Sequence, residues 1–190
     1  VITYEHTDSG LRCELEAPQP LSLGKAIDID IVANALSVTP SDIVTTNHPP
    51  RVASVGLPFV VVEVVDRDVL ESVRVNPDGF ETIAKLGVAP DIHVYTHSND
   101  QFDIRARMFA PSDGLAEDPA TGSANCALVA LLTALKTKDT GSFSWRIAQG
   151  VEMGRSSELF ARTEKHNDGE ITTWIGGHAV VVANGALWLD

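Results

Sequence analysis

The chain has 190 residues and a formal net charge of −12, from 14 Lys and Arg against 26 Asp and Glu. That length supports one good-sized core, or one lobe and part of another, and an ordinary apolar share of 44% argues against a disordered or fibrous chain. The acidic balance argues against a nucleic-acid backbone or an anionic membrane as partner, since both need clustered Lys and Arg, but leaves room for an anionic small molecule held by backbone N–H groups.

The chain opens in a strand-like run, Val1-Ile2-Thr3-Tyr4, and a second strand over residues 11–15 follows a turn at residues 7–10. Because the numbering begins inside a strand, it is expected to start within a longer protein. Pro18 and Pro20 break the strand pair, and residues 21–25 read as a linker. A boundary is placed there: residues 1–20 as the remnant of an N-terminal lobe, residues 21–190 as a C-terminal lobe. Helical periodicity covers residues 28–36, and Pro40 opens a turn. The β-branched run at residues 59–64 predicts a strand.

A short helix is expected over residues 66–73, with Asp66 suited to the dipole at its start. Pro77-Asp78-Gly79 punctuates before a second short helix at residues 80–86, closed by Gly87. Strands are expected at residues 92–96 and 102–109. Beyond Gly122 a helix runs to about residue 135, and strands follow at 143–147, 159–163, 171–175, 179–182 and 186–189. Asn167-Asp168-Gly169 marks a hairpin turn.

The helix after Gly122 is apolar around its full circumference, through Ala124, Leu128, Val129, Leu131 and Leu132. A surface helix keeps a polar face, so this one is expected to be buried on all sides. Strands joined by short turns are mainly antiparallel and must supply the enclosure. The expected class is α+β: a central apolar helix wrapped by a curved, barrel-like, mostly antiparallel sheet.

The chemistry concentrates just before that helix. Arg107-Met108-Phe109-Ala110-Pro111 leads through a loop to Glu117-Asp118-Pro119-Ala120-Thr121-Gly122-Ser123-Ala124. The first N–H groups of a helix lack intrahelical partners, and the aligned peptide dipoles add partial positive charge. Thr121 is the expected N-cap, Gly122 admits a ligand close to the backbone, and Ser123 adds a hydroxyl. The start of the helix through Ala124 is thus a site for a carboxylate or phosphate. A carboxyl group facing a bound carboxylate holds its proton more readily, which suits Asp118 to proton transfer. The plain alternative is a common Asp-Pro turn followed by a common helix start.

This stretch closely resembles the hallmark of the PhzF family of phenazine-biosynthesis isomerases. Further matches are Gly56-Leu57-Pro58-Phe59, Gln149-Gly150, Met153-Gly154-Arg155-Ser156 and Ile175-Gly176-Gly177 with Ala179, covering most of the chain from about residue 54. The resemblance implies a diaminopimelate epimerase-like fold of two lobes, each a sheet around a central helix, with the site in the cleft between them. It implies a cofactor-free isomerase that moves a proton on a small amino-acid-like carboxylate, and a homodimer. By position, Asp118 matches the active-site aspartate of the second lobe, and Gly122 and Ser123 match the residues that hold the substrate carboxylate. Catalytic roles are therefore expected for Asp118 and Ser123, and substrate binding for Thr121, Gly122, Ser123 and Ala124. The principal acid/base is implied to be a first-lobe glutamate beside a Gly-His-Pro motif. That motif does not occur here; His48-Pro49-Pro50 follows Asn47, not glycine. On its own the segment is expected to be inactive.

Other groupings point elsewhere. Cys13 and Cys126 lie far apart, which suggests free thiols and a cytoplasmic setting. Cys126 reads as a core thiol, not as the base of a cysteine racemase. A Ser123–His178–Asp118 triad lacks a nucleophile elbow. His93 and His97 offer two nitrogens where zinc takes three or four ligands. Arg155 is expected in a structural ion pair. Glycine-rich nucleotide motifs are absent, and no apolar run approaches the ~20 residues of a membrane span.

Overall fold

In the computed structural model, which describes residues 2–7, 10–138, 140–186 and 188, the chain forms strands β1 (Ile2–Thr7), β2 (Gly10–Glu16) and β3 (Ser22–Ala26), then helix α1 (Ile29–Leu36). Strands β4 (Ile43–Val44), β5 (Arg51–Ser54) and β6 (Pro58–Val64) follow, then helices α2 (Arg67–Ser72) and α3 (Pro77–Lys85). Strands β7 (Ile92–His97), β8 (Ile104–Ala110) and β9 (Leu115–Asp118) lead into helix α4 (Gly122–Ala134), and β10 (Gly141–Gln149), β11 (Ser157–Lys165) and β12 (Ile171–Ala179) complete the sheet.

The all-apolar helix is α4, buried at every residue from Ala124 to Thr133. One sheet surrounds it, in the order β1-β2-β12-β11-β10-β8-β7-β6-β5-β3, with β4 on β6 and β9 on β8. All pairings are antiparallel except β10 with β8 and β6 with β7. The sheet curves far enough that α4 touches β11 and β12 on one side and β5, β6 and β7 on the other. It stays open. The gap is crossed by residues 17–19, where the Ala17 amide donates to Thr173 O at 2.8 Å and the Gln19 amide donates to Val55 O at 3.2 Å. Pro18 between them has no N–H, so no ladder closes there.

The buried run in β6 is apolar throughout because both its faces are covered. Phe59 and Val61 face α4, while Val60, Val62 and Val64 face a second core with α1, α2 and α3 on the outside of the sheet. Asp66 caps α2 by accepting from the Val69 amide at 2.9 Å, as its position suggested.

Several local expectations need correction. Residues 21–25 are not a linker: Ser22–Ala26 is a bulged edge strand on β5. Pro77-Asp78-Gly79 does not precede the helix but forms its first turn, capped by the Asn76 side chain. The two strands expected at 171–175 and 179–182 are one strand through Ala179, because β2 pairs with its far half, Gly177 opposite Cys13. Val180, Val181 and Val182 are exposed and outside any strand. The strand expected at 186–189 lies partly outside the described residues, and neither Ala186 nor Trp188 is in a strand.

Candidate functional site

β8 and β9 bring the motif to the mouth of α4. Asp118 is the last residue of β9 and pairs with Met108 of β8. The Arg-x-Phe-Ala-Pro and Glu-Asp-Pro parts of the motif are joined by an internal ion pair: Arg107 Nε and Nη2 donate to Glu117 Oε1 and Oε2 at 2.8 and 2.9 Å. The same guanidinium donates to the carbonyls of Leu70 (2.9 Å) and Val73 (3.1 Å) at the end of α2, and stacks on the Phe109 ring. Arg107 and Glu117 therefore brace the loop that presents Asp118.

Thr121 takes the N-cap position of α4, but its side chain does not cap the helix. Its Oγ1 instead donates to Asp118 Oδ2 at 2.5 Å and accepts from Gln149 Nε2 at 2.9 Å. Among the described residues, no side chain accepts from the amides of Gly122, Ser123 or Ala124. These groups sit at the positive end of the helix dipole. Gly122 and Ser123 are half-buried, and Ala124 is fully buried, leaving it nothing but its amide to offer.

Gly122 and Ser123 open on neighbouring clefts. Gly122 lines one of about 590 Å³ with Ala120, Ser156, Ser157, Gly177 and His178. Ser123 lines another of about 380 Å³ with Cys126, Val55, Gly56 and Leu57. Leu15 and Ile175 line both and stand between them. Asp118 lines neither; it is half-buried, its carboxylate held by Thr121. The larger cleft depends on a close backbone approach, since a Cβ on Gly176 would come within 2.6 Å of Cys13 O.

Gln149 is fully buried beneath this mouth, a role not visible in the sequence beyond the Gln149-Gly150 match. Its Nε2 also donates to Asp118 O at 2.7 Å, and its Oε1 accepts from the Thr121 amide at 3.2 Å and from Asn125 Nδ2 at 2.7 Å. Gly150 adopts φ +77° and seats the turn against Pro119.

The remaining candidates separate. His93 lies wholly in the core, its Nε2 3.2 Å from Asn125 Oδ1, and burial lowers its pKa to about 4. His97 faces Tyr95 and Glu63 instead, so the two histidines do not converge. His178 packs edge-on against Phe160. It makes no bond to Ser123, which lines the other cleft, and no triad is assembled. Burial pushes the Cys126 thiol up to about 12, which keeps it an unreactive core thiol. Arg155 is exposed and makes no ion pair among the described residues, contrary to expectation; its backbone alone is engaged, the amide donating to Gly150 O at 2.9 Å and the carbonyl accepting from Ser157 Oγ at 3.4 Å.

The curved α+β sheet around a buried helix is shared with solved proteins. One from Bacillus anthracis superposes with a TM-score of 0.82 over 93% of this chain and 61% of its own, at 19% identity. A predicted epimerase from Pseudomonas aeruginosa does so with a TM-score of 0.71 at 28% identity, over 100% of this chain and 63% of its own. The model of the phenazine biosynthesis-like protein family matches residues 1–185. The chain belongs to this family. Among curated relatives, an uncharacterized isomerase of Mesorhizobium japonicum is 29% identical over 90% of this chain. The trans-2,3-dihydro-3-hydroxyanthranilate isomerase of Pseudomonas aeruginosa is 34% identical over 58% of this chain and 43% of its own length. The chain spans 58% of the Mesorhizobium relative. No helix among the described residues is long and apolar enough to cross a membrane.

Proposed function

We propose that this chain supplies the second-lobe half of the active site of a cofactor-independent isomerase, which moves a proton on a small amino-acid-like carboxylate. The observation that carries the reading is the α4 mouth, where the amides of Gly122 and Ser123 have no side-chain acceptor and both residues reach a cleft. A substrate carboxylate takes the place of the missing cap and gains the helix dipole. Asp118, held three residues upstream, then handles a proton or a polar group of the substrate, and the Ser123 hydroxyl adds a donor. Membership of a family whose relatives are named isomerases supports this reading. Residues 1–20 belong in it to the other lobe, joined to this one through the β2–β12 ladder, and that lobe supplies the principal acid/base.

The test is solvent proton exchange. The full-length protein is incubated in deuterated water with trans-2,3-dihydro-3-hydroxyanthranilate and with a panel of amino-acid carboxylates, and deuterium uptake is followed by mass spectrometry. Asp118→Ala is expected to cut exchange by about 100-fold or more, in the range of a lost general acid/base, with unfolding unchanged. Equal exchange in Asp118→Ala removes it from the mechanism. Carboxylate binding without any exchange identifies a non-catalytic binding protein on the same fold.

A further inference from the structure

Five side chains form a hydrogen-bond chain in which every donor points the same way. Its direction follows from the backbone at two places. Gln149 meets the Asp118 carbonyl, which only accepts, with its Nε2, and the Thr121 amide, which only donates, with its Oε1. A flipped carboxamide would oppose like groups at both ends. Asn125 is fixed likewise, because its Nδ2 donates to the Thr121 carbonyl at 2.9 Å. The series therefore runs from His93 Nε2–H to Asn125 Oδ1, from Asn125 Nδ2 to Gln149 Oε1, from Gln149 Nε2 to Thr121 Oγ1, and from the Thr121 hydroxyl to Asp118 Oδ2. All of these groups but Asp118 are buried, at 8% exposure or less.

One consequence bears on the helix mouth. A threonine at an N-cap ordinarily turns its oxygen toward the N2 or N3 amide of the helix. Here the Gln149 donor occupies that oxygen and leaves the hydroxyl hydrogen free for Asp118. We propose that Gln149 is a positioning residue with two effects on one side chain: it holds Thr121 away from the cap, which leaves the Gly122 and Ser123 amides open, and it aims the Thr121 hydroxyl at Asp118. The proposal rests on the reading of this mouth as a carboxylate site, and Gln149 itself touches no substrate.

The experiment separates the two ideas. The Thr121 side-chain rotamer is read from three-bond couplings by NMR, with no ligand present. The amide shifts of Gly122 and Ser123 are then followed while 3-hydroxyanthranilate is added as the probe. In Gln149→Leu the Thr121 rotamer switches to the capping position, and the probe binds about five- to tenfold more weakly, since a side-chain cap now competes for the same amides. Adding Thr121→Val, which cannot cap, restores binding to within about twofold of wild type. A generally loosened structure would not recover affinity through a second substitution. Gln149→Met keeps most of the side-chain volume and removes both donors, and gives the same rotamer change should Gln149→Leu fail to fold. An unchanged Thr121 rotamer in the substituted protein overturns the proposal, as does a double variant that binds no better than Gln149→Leu. A switched rotamer together with no probe binding in wild type upholds the positioning role and overturns the carboxylate reading of the mouth.

Discussion

The Arg107 guanidinium and the Glu117 carboxylate meet face to face through two hydrogen bonds of 2.8 and 2.9 Å, with side-chain exposures of 6% and 14%. The pair joins the inner strand β8 to the rim strand β9, and through the Leu70 and Val73 carbonyls it also secures the end of α2. The most recognisable stretch of the sequence therefore has two duties. Arg107 and Glu117 build the loop, and the residues from Asp118 to Ser123 carry the proposed carboxylate site.

Removing one member of that pair strands the other. Arg107→Ala is expected to destabilise the fold by about 3–5 kcal/mol, the cost of an uncompensated buried charge and of the α2 carbonyls left without a donor. Denaturant unfolding measures it. Replacing both members with leucine should be milder than Arg107→Ala alone; a double variant at least as unstable as the single one contradicts this account.

His93 makes stability sensitive to acid. Burial lowers its folded pKa from 6.5 to about 4, so between these values the unfolded chain binds a proton that the folded chain refuses. Stability is full above about pH 6.5 and declines as pH falls toward about 4, by roughly 3 kcal/mol from this group. His48, lowered chiefly by burial, acts in the same direction. His93→Gln keeps a donor for Asn125 and should flatten the decline in thermal unfolding between pH 7 and pH 4. A profile as steep as wild type would acquit His93.

Two glycines in one loop provide a matched comparison. Gly150 has φ +77°, and a Cβ there would lie 2.4 Å from Arg155 O and 2.8 Å from Pro119 O. Gly154 has φ +74°, with no atom within 4 Å of such a Cβ. Gly154→Ala should cost about 1–2 kcal/mol, for the left-handed backbone alone. Gly150→Ala should cost about 2–4 kcal/mol, since displaced backbone adds to that strain, and should also weaken carboxylate binding by moving Pro119. Equal losses of stability in the two variants would show that the contact with Pro119 is slack.

Thiol chemistry distinguishes the two cysteines. Cys126 is 2% exposed, with its thiol pushed up to about 12, whereas Cys13 is half-buried and lines the larger cleft. Under native conditions at pH 8 a maleimide should label Cys13 and leave Cys126 intact until the protein is unfolded, as read by mass spectrometry of the peptides. Rapid native labelling of Cys126 would reopen the cysteine-racemase reading.

Much of the fold was legible because it rests on local patterns. The full-circumference apolarity of residues 124–135 required a buried helix, and the β-branched run at residues 59–64 required a strand. Segments without a pattern were missed. Ser22–Ala26 offers no alternation and is exposed along its whole length, and Leu115–Asp118 joins an apolar pair to an acidic one. Both are strands because a neighbour supplies the ladder.

The site divides in the same way. Asp118, Thr121, Gly122 and Ser123 could be named from order along the chain, since the start of a helix and the acid before it are set by a dozen consecutive residues. By itself the sequence determined that an acid stands within a few residues of the head of a buried helix. Only the tertiary structure decided which way Thr121 turns, and so whether the helix amides stay open, because its hydroxyl answers to Gln149, 28 residues away on β10, and through Asn125 to His93 on β7, 32 residues from Asn125. Hydrogen-bond direction is settled by whichever donors and acceptors the folded sheet brings within 3 Å or so, and spacing along a chain carries no record of that meeting.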